Sequence, residues 1–106
     1  MITKLRVSKL TLEMPKEDSE VWLHITVQKV IKDDLGVTTN IIPRFDYISK
    51  PLSEVYMDVY KYQDIMLGGV FSISGVGIAQ ALTSAVLDFM QDKYGGVVTS
   101  NGDLIV

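Results

Sequence analysis

The chain has 106 residues, of which 47% are apolar and 22% are charged, and its net charge is −3. This length predicts a single domain, and the absence of cysteine excludes disulfide bonds, a thiolate nucleophile and thiolate metal sites. One histidine and a mildly acidic balance without a Lys/Arg cluster argue against a metal site and against nucleic acid as a partner. We therefore expect no metal, no cofactor and no nucleic-acid partner.

The lack of cysteine also bears on location. Small secreted domains usually rely on disulfide bonds, so we expect a cytoplasmic or virion-associated protein. The first residues, 1–6, lead into an alternating pattern and not into an apolar block, which argues against a signal peptide.

Residues 2–13 have the alternating pattern of a strand, but the pattern changes phase. Leu5 and Val7 have odd numbers, whereas Leu10 and Leu12 have even ones. A β-bulge near Ser8–Lys9 keeps all four side chains on one face.

Val21 to Ile31 is the clearest strand, with its apolar side chains at odd numbers and one exception at Lys29. A three-residue loop, 34–36, closed by Gly36 in the left-handed conformation, leads to a second strand over 37–48. This loop pairs Asp33 with Val37. The same register predicts Ile25 opposite Phe45 and Leu23 opposite Tyr47, whereas loops of other lengths place charges opposite apolar residues.

Residues 49–67 support two alternatives. Apolar residues step by three and four from Leu52 to Met66, which favours a helix, whereas the valines and tyrosines between them favour a strand. We predict a helix here.

Residues 76–94 carry a clear amphipathic helical pattern that ends at Gly95-Gly96. The tail predicts a small hairpin around Asn101-Gly102, whose last residues are able to join the sheet. The predicted fold class is therefore α+β: one small domain with an antiparallel β-meander over about residues 2–48 and one or two helices on one face.

The predicted register places His24 opposite Asp46, Thr26 opposite Arg44 and Trp22 opposite Ile48 on the side of the sheet away from the core. We expect Lys9 and Thr11 to join them. Trp22, His24, Arg44 and Asp46 thus form a candidate site for a small anionic or aromatic ligand; the alternative is a set of solvated cross-strand pairs. No Ser or Cys nucleophile is predicted beside His24, so we expect no enzymatic activity.

Residues 65–87 contain no charged residue, although the chain is otherwise well charged. The run is long enough to cross a membrane, but Gly68-Gly69 and several polar residues interrupt it, which favours burial against the sheet or another subunit. All the cationic residues except Lys93 lie before position 62. This asymmetry favours self-association, and the candidate interface residues are Tyr56, Tyr60, Val70, Phe71, Ile73 and Ile78.

Three functions remain open from the sequence. The first is a non-enzymatic homo-oligomeric binding or assembly protein, such as a small phage-type structural or ligand-sequestering protein. The second is a small-molecule binder that uses the outer sheet face. The third is a membrane-associated protein that uses residues 65–87. The expected partner is a second copy of the chain or another protein.

Overall fold

The computed structural model describes residues 1–15, 20–62 and 73–106. Within these ranges, five antiparallel strands form one sheet in the order β3-β2-β1-β5-β4, and one α-helix packs on it. The elements are β1 (Ile2–Glu13), β2 (Trp22–Lys32), β3 (Thr38–Pro51), α1 (Gly75–Tyr94), β4 (Val97–Val98) and β5 (Asp103–Ile105). The predicted α+β class, with its antiparallel meander, is confirmed.

The turn between β2 and β3 forms as the sequence predicts. The backbone N–H of Asp33 donates to the carbonyl of Val37 at 2.9 Å, and Gly36 has a φ of 80°. The Asp33 carboxylate accepts hydrogen bonds from the backbone N–H groups of Leu35 and Val37. These bonds hold the three-residue loop in one conformation.

Beyond the turn, the predicted register is wrong because β3 contains two irregularities. The pairing shifts between Ile31 and Lys32 and again between Val27 and Lys29, and each time β3 holds the additional residues. The larger shift spans residues 43–45 and includes Pro43, which has no backbone N–H to donate to β2. As a result, Ile25 lies opposite Ile48, and not Phe45.

Leu23 pairs with Lys50 in place of the predicted Tyr47. A charged residue is tolerated beside the core here because the Lys50 ammonium lies over the Phe89 ring, 4.5 Å from its centroid. The predicted bulge in β1 is confirmed, because the pairing with β2 shifts between Val7 and Lys9. The extra residue is Ser8, whose hydroxyl donates to the Thr26 carbonyl at 3.2 Å.

Helix α1 covers one side of the sheet, called the helix face here; the opposite side is called the outer face. The helix begins after Ser74, whose side chain accepts a hydrogen bond from the Gly77 N–H, and it ends at Gly95 with a φ of 72°. Gly77 is required for close packing, because an added Cβ would lie 2.7 Å from the Tyr62 carbonyl oxygen. The helix buries apolar side chains against the sheet; the fully buried ones of the whole core are Leu5, Leu23, Ile25, Val27, Val86, Met90 and Leu104.

The tail also follows the sequence prediction. Strands β4 and β5 pair across a turn in which Gly102 has a φ of 82°. Strand β5 pairs with β1, so Leu104 lies beside Leu5 in the core.

The predicted helix over 49–67 is wrong in its described part, and residues 49–51 are the end of β3. Residues 52–62 contain two single turns of 3-10 helix, Leu52–Glu54 and Tyr60–Tyr62, separated by residues without regular structure. Val55 is buried, and Leu52 and Met57 pack against the core. The segment thus covers the core, and the extended preference of its Val and Tyr residues prevails over the helical spacing. Residues 63–67 lie outside the described part.

Replacement of Leu23 by Ala is expected to reduce the free energy of unfolding by about 3 kcal/mol, because it leaves a cavity under the helix. Leu23 is fully buried, whereas Leu35 at the hairpin tip is 89% exposed and provides the matched control. Urea unfolding followed by circular dichroism measures both variants. Equal stability of Leu23→Ala and Leu35→Ala would contradict this placement of the core.

Candidate ligand site on the outer sheet face

His24 lies at the centre of a hydrogen-bonded group that crosses three strands. Its Nδ1 atom is 2.8 Å from Ser49 Oγ on β3, and its Nε2 atom is 2.7 Å from Glu13 Oε2 on β1. The ring also stacks on Tyr47, with centroids 5.8 Å apart and planes 14° from parallel. These contacts fix the orientation of the imidazole, which is itself mostly covered, with a side-chain exposure of 21%.

Sequence reasoning missed Ser49, because the predicted register put Asp46 opposite His24. It also missed Glu13, which contacts His24 diagonally from β1, where Thr11 is the directly paired residue. In the tautomer protonated on Nε2, the Ser49 hydroxyl donates to Nδ1 and the ring N–H donates to the Glu13 carboxylate. This is the order of groups in a Ser-His-acid triad, with the two ring nitrogens exchanged. Ser49, however, lies within a paired strand and not on a sharp strand-to-helix turn, where a nucleophile has backbone N–H donors for an oxyanion. We interpret the group as a positioning device for Tyr47.

Beside this group, the outer face is concave. A groove of about 700 Å³ is lined by Ser8, Lys9, Thr11, Thr26, Pro43, Arg44 and Tyr47. Thr26 is central, because Lys9 pairs with it from β1 and Tyr47 pairs with it from β3. Two strand irregularities, at Ser8 in β1 and at residues 43–45 in β3, therefore flank Thr26 and change the direction of the side chains that form the groove walls.

The groove combines two cations, three hydroxyl groups and one aromatic ring. Among the described residues, Lys9 and Arg44 have no carboxylate within ion-pair distance and no aromatic ring beneath their charge. None of the described residues that line the groove carries a carboxylate. In a chain with a net charge of −3, this is a local concentration of positive charge that favours an anion.

The structure brings together only part of the predicted ligand site. Arg44 and Thr26 share the groove, although they are not opposite each other as predicted. His24 adjoins the groove through Tyr47. Trp22 lies opposite Pro51, and not Ile48, near the end of β2, and it does not line the groove.

Asp46 is on the helix face, because the shifted register pairs it with the core residue Val27. Its Oδ2 atom accepts hydrogen bonds from Lys93, at 2.6 Å, and from the Tyr94 hydroxyl. The prediction that Asp46 joins His24 is thus wrong, and the physical reason is the extra residues of β3. Asp46 instead ties the last turn of α1 to β3.

These contacts shift the ionisation of all three groups. The hydrogen bond from Lys93, followed by that from Tyr94, lowers the pKa of Asp46 below 3.8. The hydrogen bond to Asp46 raises the pKa of Lys93. Desolvation and the same carboxylate raise the pKa of Tyr94.

The predicted interface residues are split between described and undescribed parts of the chain. Tyr56, Tyr60 and Ile78 are 87%, 68% and 47% exposed, and Ile73 is partly buried. Val70 and Phe71 lie outside the described residues.

Comparisons with protein-family models, with curated proteins and with solved structures find no match to this chain. In the described ranges, no helix is long and apolar enough to cross a membrane. The same residues contain no group of three or more His, Cys, Asp or Glu side chains that is able to hold a metal ion.

Replacement of Asp46 by Asn is expected to lower the free energy of unfolding by about 1 kcal/mol at pH 7, because the hydrogen bonds lose their charge. A lowered pKa means that the carboxylate stabilises the fold above pH 3.8, and this contribution is lost as pH falls through the folded-state pKa. The difference in free energy of unfolding between wild type and Asp46→Asn should therefore vanish in acid.

Denaturant unfolding between pH 2 and pH 7 measures this dependence. Asp88→Asn is the matched control, because Asp88 is an exposed carboxylate on α1, the helix that Asp46 contacts from β3. A difference between wild type and Asp46→Asn that stays constant down to pH 2 would contradict the proposed contact.

Proposed function

We propose that the chain is a non-enzymatic assembly protein in which the part of the outer sheet face near the β2–β3 turn, outside the groove around Thr26, packs against the same part of a second copy. The observation that carries the proposal is an apolar row on the outer face. Residues that pair directly in an antiparallel sheet share a face, so the pairings place one residue from each strand in a line. This line, called the outer row, consists of Val97, Ile105, Lys4, Val30 and Ile41.

The outer row lies on the side away from α1, because Lys4 neighbours the core residue Leu5 along β1. Val97 and Ile41 are 67% and 48% exposed at its two ends, whereas Val30 is only 7% exposed and Ile105 is partly buried. Lys4 is the one charged member, and its ammonium lies 3.7 Å from Asp103 Oδ2. Its side chain is only 23% exposed, which is consistent with an aliphatic stem that lies along the apolar surface.

The shape of the molecule supports a further layer on the sheet. Its accessible surface is 7246 Å², whereas a compact monomer of 11.8 kDa exposes about 5,900 Å². The radius of gyration is 16.0 Å, compared with about 13 Å for a compact domain of this length.

A second copy suits this surface because the outer row is able to pair with itself. Two sheets packed face to face about a two-fold axis bring one row onto the other. The neighbouring Asp103 is 13% exposed and lies near both Lys4 and Arg6, so it adds no unpaired negative charge to the contact. Tyr56, Tyr60 and Ile78 are separate candidates for a second contact, which larger oligomers would require. A cytoplasmic or virion-associated location remains part of the proposal.

Sedimentation equilibrium tests the assembly. Wild type is expected to have at least twice the mass of the 11.8-kDa chain, and Ile41→Lys is expected to shift the protein towards monomer because it places a charge in the contact. Leu35→Lys is the matched control, since Leu35 is exposed at the hairpin tip outside the outer row. A monomeric wild type, or equal effects of the two substitutions, would contradict the proposal.

Hydrolysis of p-nitrophenyl acetate tests the non-enzymatic part. Wild type and Ser49→Ala should hydrolyse the ester at the same rate, because Ser49 lies in a paired strand without oxyanion donors. A rate that falls at least about tenfold in Ser49→Ala would show that the Ser49–His24–Glu13 group is catalytic, since loss of a nucleophile removes far more activity than this.

A further inference from the structure

We propose that the groove between the Ser8 bulge and residues 43–45 binds a small phosphorylated molecule that carries a planar ring. This site is separate from the outer row and does not depend on self-association. It extends the ligand-binding alternative drawn from the sequence: Arg44 is retained, whereas Trp22 and Asp46 do not line the groove and Tyr47 is added.

Unpaired positive charge is the first argument. The described part of the chain contains nine Lys and Arg residues, and six of them contact a carboxylate or an aromatic ring: Lys4, Arg6, Lys29, Lys50, Lys61 and Lys93. The remaining three are Lys9, Lys32 and Arg44, and two of these line the same groove. Two cations that repel each other without a counter-charge are a favourable site for a ligand with two negative charges.

Hydrogen-bond donors are the second argument. Arg44 presents a planar fork of N–H groups, which matches two phosphate oxygens, and Lys9 supplies a second charge. The hydroxyls of Thr11 and Thr26 line the same groove. Each is able to donate to a phosphate oxygen without adding charge.

The ring of Tyr47 and the volume of the groove indicate that the ligand also carries a planar ring. Tyr47 is 61% exposed although its ring stacks on His24, so part of the ring remains accessible to a ligand. His24 is in turn held by Ser49 and Glu13, which orients Tyr47 before any ligand binds. A groove of about 700 Å³ lies within the usual range of small-molecule sites and has room for a phosphate and a ring together.

Isothermal titration calorimetry with AMP, inorganic phosphate and adenosine tests the site. AMP is expected to bind more tightly than phosphate, and adenosine more weakly than AMP, because AMP alone engages both the cations and the ring. Binding of AMP should weaken with added salt. No detectable binding of AMP or of phosphate at millimolar concentrations would overturn the proposal.

Substitutions locate the binding. Arg44→Gln and Lys9→Gln should each reduce AMP affinity about tenfold or more, as expected for loss of a charge-assisted contact. Lys32→Gln is the matched control, because Lys32, on β2, is likewise an unpaired cation but lies outside the groove. This substitution should change AMP affinity less than about twofold. Equal losses in all three variants would show general charge attraction and would overturn the site.

Tyr47→Leu separates the two halves of the ligand. It should weaken AMP binding and leave phosphate binding unchanged, because only the ring contact is removed. If AMP and phosphate weaken equally in Tyr47→Leu, the aromatic part of the proposal is wrong. Far-UV circular dichroism checks that each variant is folded. Should Arg44→Gln not fold, Lys9→Gln against Lys32→Gln gives the same comparison.

Discussion

Strand pairing to β2 is the constraint on which the rest of the structure depends. β2 alternates regularly, with Leu23, Ile25 and Val27 buried, whereas both of its neighbours contain additional residues. The bulge at Ser8 keeps Leu10 and Leu12 of β1 on the helix face. The additional residues of β3 move Asp46 to the helix face and Tyr47 to the outer face.

This pairing has one consequence on each face of the sheet. On the helix face, Asp46 holds the end of α1 through Lys93 and Tyr94. On the outer face, the irregular strands create a groove around Thr26, while the regular pairs between the two irregularities of β3, from Lys29–Ile42 to Ile31–Asn40, align the outer row. One helix covers only one side of a sheet, and the apolar residues of the outer face are the basis on which we propose a second copy as a further layer.

Local patterns predicted much of this fold. The change from odd to even numbers between Val7 and Leu10 located the bulge in β1. Gly36 and Asp33 fixed the turn, and the amphipathic spacing with Gly95 fixed the helix. These features depend on residues close together in sequence, where turn chemistry and side-chain period act directly.

The candidate site was predicted less well because it depends on pairing far from the turn. The predicted register assumed that the pairing set by the three-residue loop continues unchanged along β2 and β3. Each bulge in β3 therefore shifts every pair that lies farther from the turn. Pro43 was the available signal, since proline within a strand marks an edge or a bulge. The sequence placed Arg44 and Lys9 correctly on the outer face. It did not identify Ser49 and Glu13 as the partners of His24.

Cross-strand nuclear Overhauser effects between β2 and β3 test the shifted register most directly. Uniformly labelled protein should show contacts between His24 and Ser49 and between Thr26 and Tyr47, and none between His24 and Asp46. Contacts between His24 and Asp46 together with Thr26 and Arg44 would restore the unshifted pairing and contradict this account of the groove and of the Asp46 contact.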